Sequence, residues 1–185
     1  MPRNKKCRSC GNWFQPFSSL HRACSLECSL DVARQDAEKR ERKKHRQDKE
    51  RIKTRSEIMK EAQQAFNAWI RWRDRDKPCV SCGTYGGGES LTGGYWDCGH
   101  YRSVGANPEL RFEELNAAAQ CKRCNRDLSG NAVDYRINLR ARMGDENLEW
   151  LEGPHPPKKY STDDLRAIRD HYRRKLREDK RASGE

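Results

Sequence analysis

Long apolar runs are missing from this chain. None exceeds a few residues, far below the ~20 that a bilayer-spanning helix needs, so a helical membrane anchor is excluded. Apolar residues are scarce throughout, at 34% against 36% charged, which excludes one large uniform core. Small cores supplemented by bound metal are expected instead. The opening residues, Met1-Pro2-Arg3-Asn4-Lys5-Lys6, are positive but lack an apolar stretch behind them. They do not read as a signal peptide, and a cytoplasmic location is expected. Acidic charge is in the minority: 28 Asp and Glu face 39 Lys and Arg, for a net +11. That balance favours a polyanionic partner, most simply nucleic acid. Proline and glycine are absent from residues 29 to 77, and apolar residues from Glu38 to Arg51.

What the chain has in excess is paired cysteine. Eight of its nine cysteines fall into four close pairs: Cys7 and Cys10, Cys24 and Cys28, Cys79 and Cys82, Cys121 and Cys124. Reduced cytosolic conditions disfavour structural disulfides, so such pairs favour metal. Tetrahedral Zn²⁺ takes four thiolates, and a Cys-x-x-Cys turn brings two of them to one ion. Two structural zinc sites are therefore expected, one from the first four cysteines and one from the last four. Gly11 and Gly83 follow the tight pairs and suit a knuckle turn. Trp13, Phe14 and Phe17 are candidates to pack around the first metal. Cys98, the ninth, reads as a small packed residue, and His21, His155 and His171 as non-ligands.

The pattern divides into four regions: a four-cysteine knuckle at 1–30, a long basic helix or linker at 31–77, a chemical domain at 78–143 and a helical accessory segment at 144–185. A helix polar all round has nothing to bury, so the stretch after Glu38 either is solvated and held by i,i+4 ion pairs or lies on a DNA backbone. Ile58, Ala62, Phe66, Trp69 and Ile70 recur at helical spacing and should dock on the next domain. Gly86-Gly87-Gly88 and Gly93-Gly94 suggest a hairpin, and Tyr95 to Tyr101 a strand. Val133 and Ile137 are expected to line the buried face of the following helix, with Gly144 as its C-cap. Thr162 is expected to cap a last helix whose apolar face carries Leu165, Ile168, Tyr172 and Leu176.

Between the last two cysteine pairs lies Asp97-Cys98-Gly99-His100-Tyr101, and Asn125 follows Cys124 directly. A neutral imidazole can take a proton from water near pH 7, which makes His100 the best base candidate. Asp97 and Asn125 supply oxygen ligands suited to a hard cation, Mg²⁺ or Mn²⁺. On a plain strand Asp97 and His100 face opposite ways, and a bulge or turn at Gly99 is what could bring them together. Asp127 and Asn131 are reserve ligands. Arg102, Lys122, Arg123 and Arg126 surround the site in sequence, as phosphate anchors or as plain solvated charge.

Cys-x-x-Cys, a central His, a later Asn and Cys-x-x-Cys-Asn together resemble the HNH, or ββα-metal, endonuclease pattern, and their order is similar to phage endonuclease VII. The resemblance implies an α+β fold, with a zinc-stabilised ββα-metal domain joined to the knuckle and basic helix. It implies His100 as the water-activating base, Asn116 as the residue orienting that imidazole, and Asn125 as the helix ligand for metal. Gly99, where many such sites carry an acid or His, and the Ala117–Ala119 run depart from the pattern. Asp97-Cys98-Gly99-His100-Tyr101-Arg102, Leu110-Arg111-Phe112, Leu128-Ser129-Gly130-Asn131 and Tyr135-Arg136 further resemble the NinG (Rap) family of lambda-like phages. That resemblance covers nearly the whole chain. It implies an endonuclease of branched recombination intermediates, such as Holliday junctions and D-loops, working in the bacterial host cell beside host or phage recombination proteins. A homodimer would suit a symmetric junction. The alternatives are a zinc-containing DNA-binding mediator without chemistry, and a pair of protein-interaction modules.

Overall fold

A computed structural model of the chain describes residues 3–86 and 94–184. The expected glycine-flanked hairpin falls on residues 87–93 and lies outside the described residues. The chain forms two compact units that divide between Lys53 and Thr54.

The first unit opens with a minimal antiparallel pair, β1 (Lys5–Lys6) and β2 (Trp13–Phe14), in which Lys5 faces Phe14 and Lys6 faces Trp13. The turn between them is a cysteine knuckle: the Gly11 amide donates to the Cys7 carbonyl at 3.0 Å, and Gly11 takes φ +77°, a conformation that favours glycine. Helix α1 (Leu26–Arg51) starts where the Ser25 hydroxyl accepts the Cys28 amide. Its lone buried residue among those described is Val32, as a stretch without apolar side chains dictates. Ion pairs such as Glu38–Arg42 and Asp48–Arg51 line its surface. Trp13 and Phe17 do not pack around the metal position; they are 66% and 94% exposed, because a unit this small has no apolar wall to receive them.

The second unit begins at a capping box. Thr54 accepts the Glu57 amide through its hydroxyl, and Glu57 accepts the Thr54 amide, which starts helix α2 (Arg55–Arg73). Ile58, Ala62, Phe66, Trp69 and Ile70 are buried, as their spacing requires. Strands β3 (Trp96–His100) and β4 (Ala117–Cys121) pair antiparallel in unbroken register, from Trp96 opposite Cys121 to His100 opposite Ala117. A π-type turn over Arg123–Asp127 leads through Asn131 into helix α3 (Ala132–Glu152), and helix α4 (Thr162–Ala182) ends the unit.

The hairpin is sandwiched. On one face Cys98 and Ala117 pack with Ala65, Phe66, Trp69 and Tyr172 of α2 and α4. On the other, Ala118 joins Tyr135, Leu139, Leu148 and Leu151 of α3, with Val80 and Leu110. The boundaries expected at residues 77 and 143 are therefore crossed by cores, and α2 and the C-terminal segment belong to the same unit as the hairpin. Gly144, at φ +83°, kinks α3 rather than ending it, and Leu148 and Leu151 beyond the kink complete the core. Val133 and Ile137 are solvent-facing at 74% and 60% exposure; Tyr135 and Leu139 take the inward face instead. Ser161, not Thr162, caps α4, through a second capping box with Asp164.

An ion pair ties the hairpin to α2. The buried Asp74 carboxylate accepts from Arg73 (2.9 and 2.6 Å), Lys77 (3.0 Å) and the Ala119 amide (3.1 Å). Arg73 in turn donates to the carbonyls of Glu114 and Ala117.

Candidate functional site

Both cysteine sets close into compact clusters. The ligand atoms of Cys7, Cys10, Cys24 and Cys28 lie within 4.8 Å of one another, and so do those of Cys79, Cys82, Cys121 and Cys124. Sulfur pairs stand 3.5 Å (Cys10–Cys24), 3.7 Å (Cys24–Cys28) and 3.8 Å (Cys82–Cys121) apart. Four sulfurs at about 2.3 Å from one Zn²⁺ form a tetrahedron with edges of about 3.8 Å, so both sets fit zinc. The two knuckles repeat one another: Gly83 at φ +71° donates to the Cys79 carbonyl at 3.0 Å, as Gly11 does to Cys7. Amides of Cys24 and Cys121 point at the sulfurs of Cys7 and Cys79, a second layer that favours thiolate. Neighbouring groups bring Cys7 down to about 6, chiefly through the Cys10 amide, and push Cys24 up to about 12. Four crowded thiols resist ionising together, and a shared divalent cation removes that conflict.

The second cluster stands where β4 leaves the hairpin, and this fixes the helical turn that carries Asn125 and Arg126 against β3. Asn125 Nδ2 donates to Asp97 Oδ2 at 3.1 Å, and Arg126 grips the same carboxylate through two bonds of 2.6 and 2.9 Å. Burial pushes the Asp97 carboxyl upward, but Arg126 and Asn125 outweigh it and hold it below the usual range. A carboxylate only accepts, so the Asn125 amide is oriented with Oδ1 left over for a cation. Arg126, expected as a phosphate anchor, is instead committed to Asp97.

His100 lies on the other face of β3. The strand carries no bulge at Gly99: each residue from 96 to 100 has one partner on β4. The expectation that Asp97 and His100 converge is thereby corrected, since side chains on an unbulged strand alternate. The reason lies opposite. A Cβ at position 99 would meet Gln120 Oε1 at 2.2 Å, so the glycine admits the buried Gln120 side chain rather than a bend. Gln120 donates to Ser81 Oγ and the Gly130 carbonyl, both at 2.6 Å. An isolated glycine inside a strand is the sequence signal for such a close approach.

The imidazole of His100 sits 5.9 Å from the Phe66 ring, and its Nε2 lies 3.2 Å from the Arg111 carbonyl oxygen. A carbonyl only accepts, so Nε2 carries the proton and Nδ1 presents a lone pair. Burial lowers the His100 pKa below 6.5, partly offset by the Arg111 carbonyl. Arg111, absent from the sequence candidates, is positioned by Gln63, which accepts its guanidinium at 3.1 Å.

The Asn116 side chain makes no hydrogen bond to His100. It is fully buried and clamps the loop that follows the strand: Oδ1 accepts the Arg102 amide at 2.7 Å, and Nδ2 donates to the carbonyls of Arg102 and Leu110 at 3.0 and 3.1 Å. Its hold on the imidazole is indirect, through the loop that delivers the Arg111 carbonyl. Arg102 braces the same loop by donating to Asn107. Lys122 and Arg123 line a cavity of about 570 Å³ beside the second cysteine cluster, together with Asn131 and Asp134. Asn131 donates to Asp134 at 2.9 Å, and Asp127 is exposed. Burial pushes the Cys98 thiol up to about 12, which suits a packed residue.

Two four-cysteine sites that could hold zinc, on small mixed helix-and-strand units in a chain of net charge +11, define a cysteine-clamped basic protein. Residues 1–182 match the family described as Bacteriophage Lambda NinG protein, and the chain belongs to that family. Protein ninG of Escherichia phage 933W is 39% identical over 195 residues, covering 96% of this chain and 94% of the relative. Protein ninG of Escherichia phage lambda is 38% identical over 197 residues, and that of Salmonella phage P22 is 38% identical over 194. No solved structure matches the chain. Among the described residues no helix is long and apolar enough to cross a membrane.

Proposed function

We propose that this chain is a metal-dependent endonuclease of the HNH, ββα-metal type that cuts branched DNA during phage recombination. The observation that carries the proposal is the His100–Arg111 hydrogen bond: it places the ring proton on Nε2, so that in the neutral ring, which burial favours, Nδ1 is the proton acceptor. A general base needs that tautomer held before water arrives. Asn125 adds a second free acceptor, Oδ1, on the helical turn after Cys124, where the family resemblance expects the metal ligand. The order of two strands, a turn and a helix braced by four cysteines agrees with the ββα arrangement. Mg²⁺ or Mn²⁺ bound there would neutralise the phosphate and stabilise the leaving oxygen. The chain's own work is narrower. His100 takes the proton from water at Nδ1, Arg111 and Gln63 hold the ring, Asn116 fixes the loop that carries Arg111, and Asp97 orients Asn125. Lys122 and Arg123 attract the phosphate backbone.

Cleavage of a four-way junction beside linear duplex tests this. Wild-type protein with Mg²⁺ or Mn²⁺ should cut the junction, and His100→Ala should bind it but not cut. Full cutting by His100→Ala would remove the assignment. One observation favours a DNA-binding recombination protein without chemistry: Asp97 and His100 occupy opposite strand faces. That alternative predicts junction binding with no cleavage in either metal.

A further inference from the structure

The α2 and α4 C-terminal regions carry a charged surface that the proposed site does not use. Arg173, Arg174, Arg177 and Arg181 stand at i, i+1, i+4 and i+8 on α4, all exposed, and so share one broad face. At 1.5 Å per residue they extend over about 12 Å, the scale of a few nucleotides of backbone. Among the described residues Arg174, Arg177 and Arg181 meet no acidic side chain; Arg173 lies 3.8 Å from Glu61. Of the acids nearby, Asp170 pairs with Arg169 at 2.8 Å, Asp179 accepts the Trp69 indole proton at 2.9 Å, Asp76 pairs with Arg75 at 3.5 Å, and Glu178 is exposed on α4.

Beside this face, the half-buried Trp72 of α2 holds two cations. The Arg75 guanidinium lies 4.0 Å over its ring, and the Lys180 ammonium lies 4.7 Å from the ring centre. Lys175 is likewise held 3.8 Å over Trp69. Cations fixed on aromatic rings lose little further entropy when a phosphate binds, whereas a freely solvated lysine must be ordered.

We propose that this face, Arg173, Arg174, Arg177 and Arg181 with Arg75 and Lys180 on Trp72, is a second DNA-backbone site that grips one arm of the substrate. It deepens the proposed action on DNA and rests on that reading for its ligand, but it requires no cleavage. Charge complementarity names the occupant: Arg173, Arg174, Arg177, Arg181 and Lys180 outweigh the exposed Glu178 among them, and such a net basic face suits a polyphosphate backbone better than a mixed-charge protein surface.

The test is equilibrium binding of the full-length zinc-loaded protein to a fluorescent four-way junction across a salt series. Arg174→Ala/Arg177→Ala/Arg181→Ala removes three exposed side chains, so melting temperature and zinc content should hold. Affinity should fall at least tenfold at moderate salt, and the slope of log K against log salt should drop by about 2 to 3, near 0.9 per lost phosphate contact. The Arg→Lys version of the triple variant should keep affinity within about threefold, since a backbone contact needs charge rather than a fork. Unchanged affinity and slope in the alanine variant would overturn the proposal and leave the face to a protein partner. A normal slope change in a protein that never cuts would overturn the nuclease reading alone.

Discussion

Asp97 and His100, three residues apart on one unbulged strand, face opposite sides of the hairpin. Asp97 is turned toward Asn125 and Arg126, His100 toward Phe66 and Arg111. The proposed cation-holding and proton-accepting roles would thus be carried by separate hydrogen-bond systems. Asp97→Ala should raise the Mg²⁺ or Mn²⁺ concentration needed for half-maximal cutting, by roughly tenfold if Asn125 loses its orientation. The acid limb of the pH profile, which the proposed base His100 would set, should stay in place. A shifted acid limb with unchanged metal demand would contradict this division.

Burial holds His100 below 6.5, so its base form persists to lower pH than a solvated imidazole. The acid limb of cutting should therefore lie below pH 6.5. Phe66→Leu, which thins the apolar wall beside the ring, should move that limb upward. The same group makes stability fall as pH drops from 6.5 toward the folded value, because there the unfolded chain takes up a proton that the folded one refuses. An acid limb above 6.5 in the wild type would show that another group limits the rate.

Asn116→Ala should release the loop between Arg102 and Leu110. Three backbone groups, the Leu110 carbonyl buried and the Arg102 amide and carbonyl partly buried, lose their partner, at a cost of about 3 kcal/mol. Cutting should fall with stability while zinc content stays at wild-type level. Chemical denaturation paired with a zinc assay checks both, and an unchanged denaturation midpoint would exclude the clamp.

Asp74 joins α2 to β4 from a buried position. Burial pushes its carboxyl up, but Arg73, Lys77 and the Ala119 amide outweigh that and hold it below 3.8. Its contribution is present above 3.8 and is lost as pH falls through the lower folded value. Asp74→Ala strands the half-buried Arg73 and should cost about 3 kcal/mol at neutral pH. Thermal melts at pH 7 and pH 3 should differ less for the variant than for the wild type.

The two cysteine clusters sit in separate compact units, so they should load separately. Wild type should carry two zinc ions per chain by elemental analysis. Cys10→Ser and Cys82→Ser should each lose one, with unfolding confined to the affected unit. Loss of both metals from either variant would mean the units fold as one.

The sequence alone determined the two cysteine clusters, the polar α1, the α2 stripe and the strand carrying His100. These follow from spacing within one segment: Cys-x-x-Cys turns, 3.6-residue periodicity and the absence of glycine and proline. The break between α1 and α2 emerged only in the structure, at the Thr54–Glu57 capping box, because no glycine or proline marks it in the sequence. The face of α3 was not legible, because Val133 and Ile137 mimic an inward stripe until Tyr135 meets the Gly99 carbonyl and Leu139 meets the core. Tertiary structure alone decided that Gly99 admits Gln120 instead of bending the strand, that Arg111 supplies the carbonyl holding His100, and that Asn116 clamps a loop rather than the ring. Each depends on an atom brought from elsewhere along the chain. Periodicity reports which residues share a face, but only packing determines what that face meets.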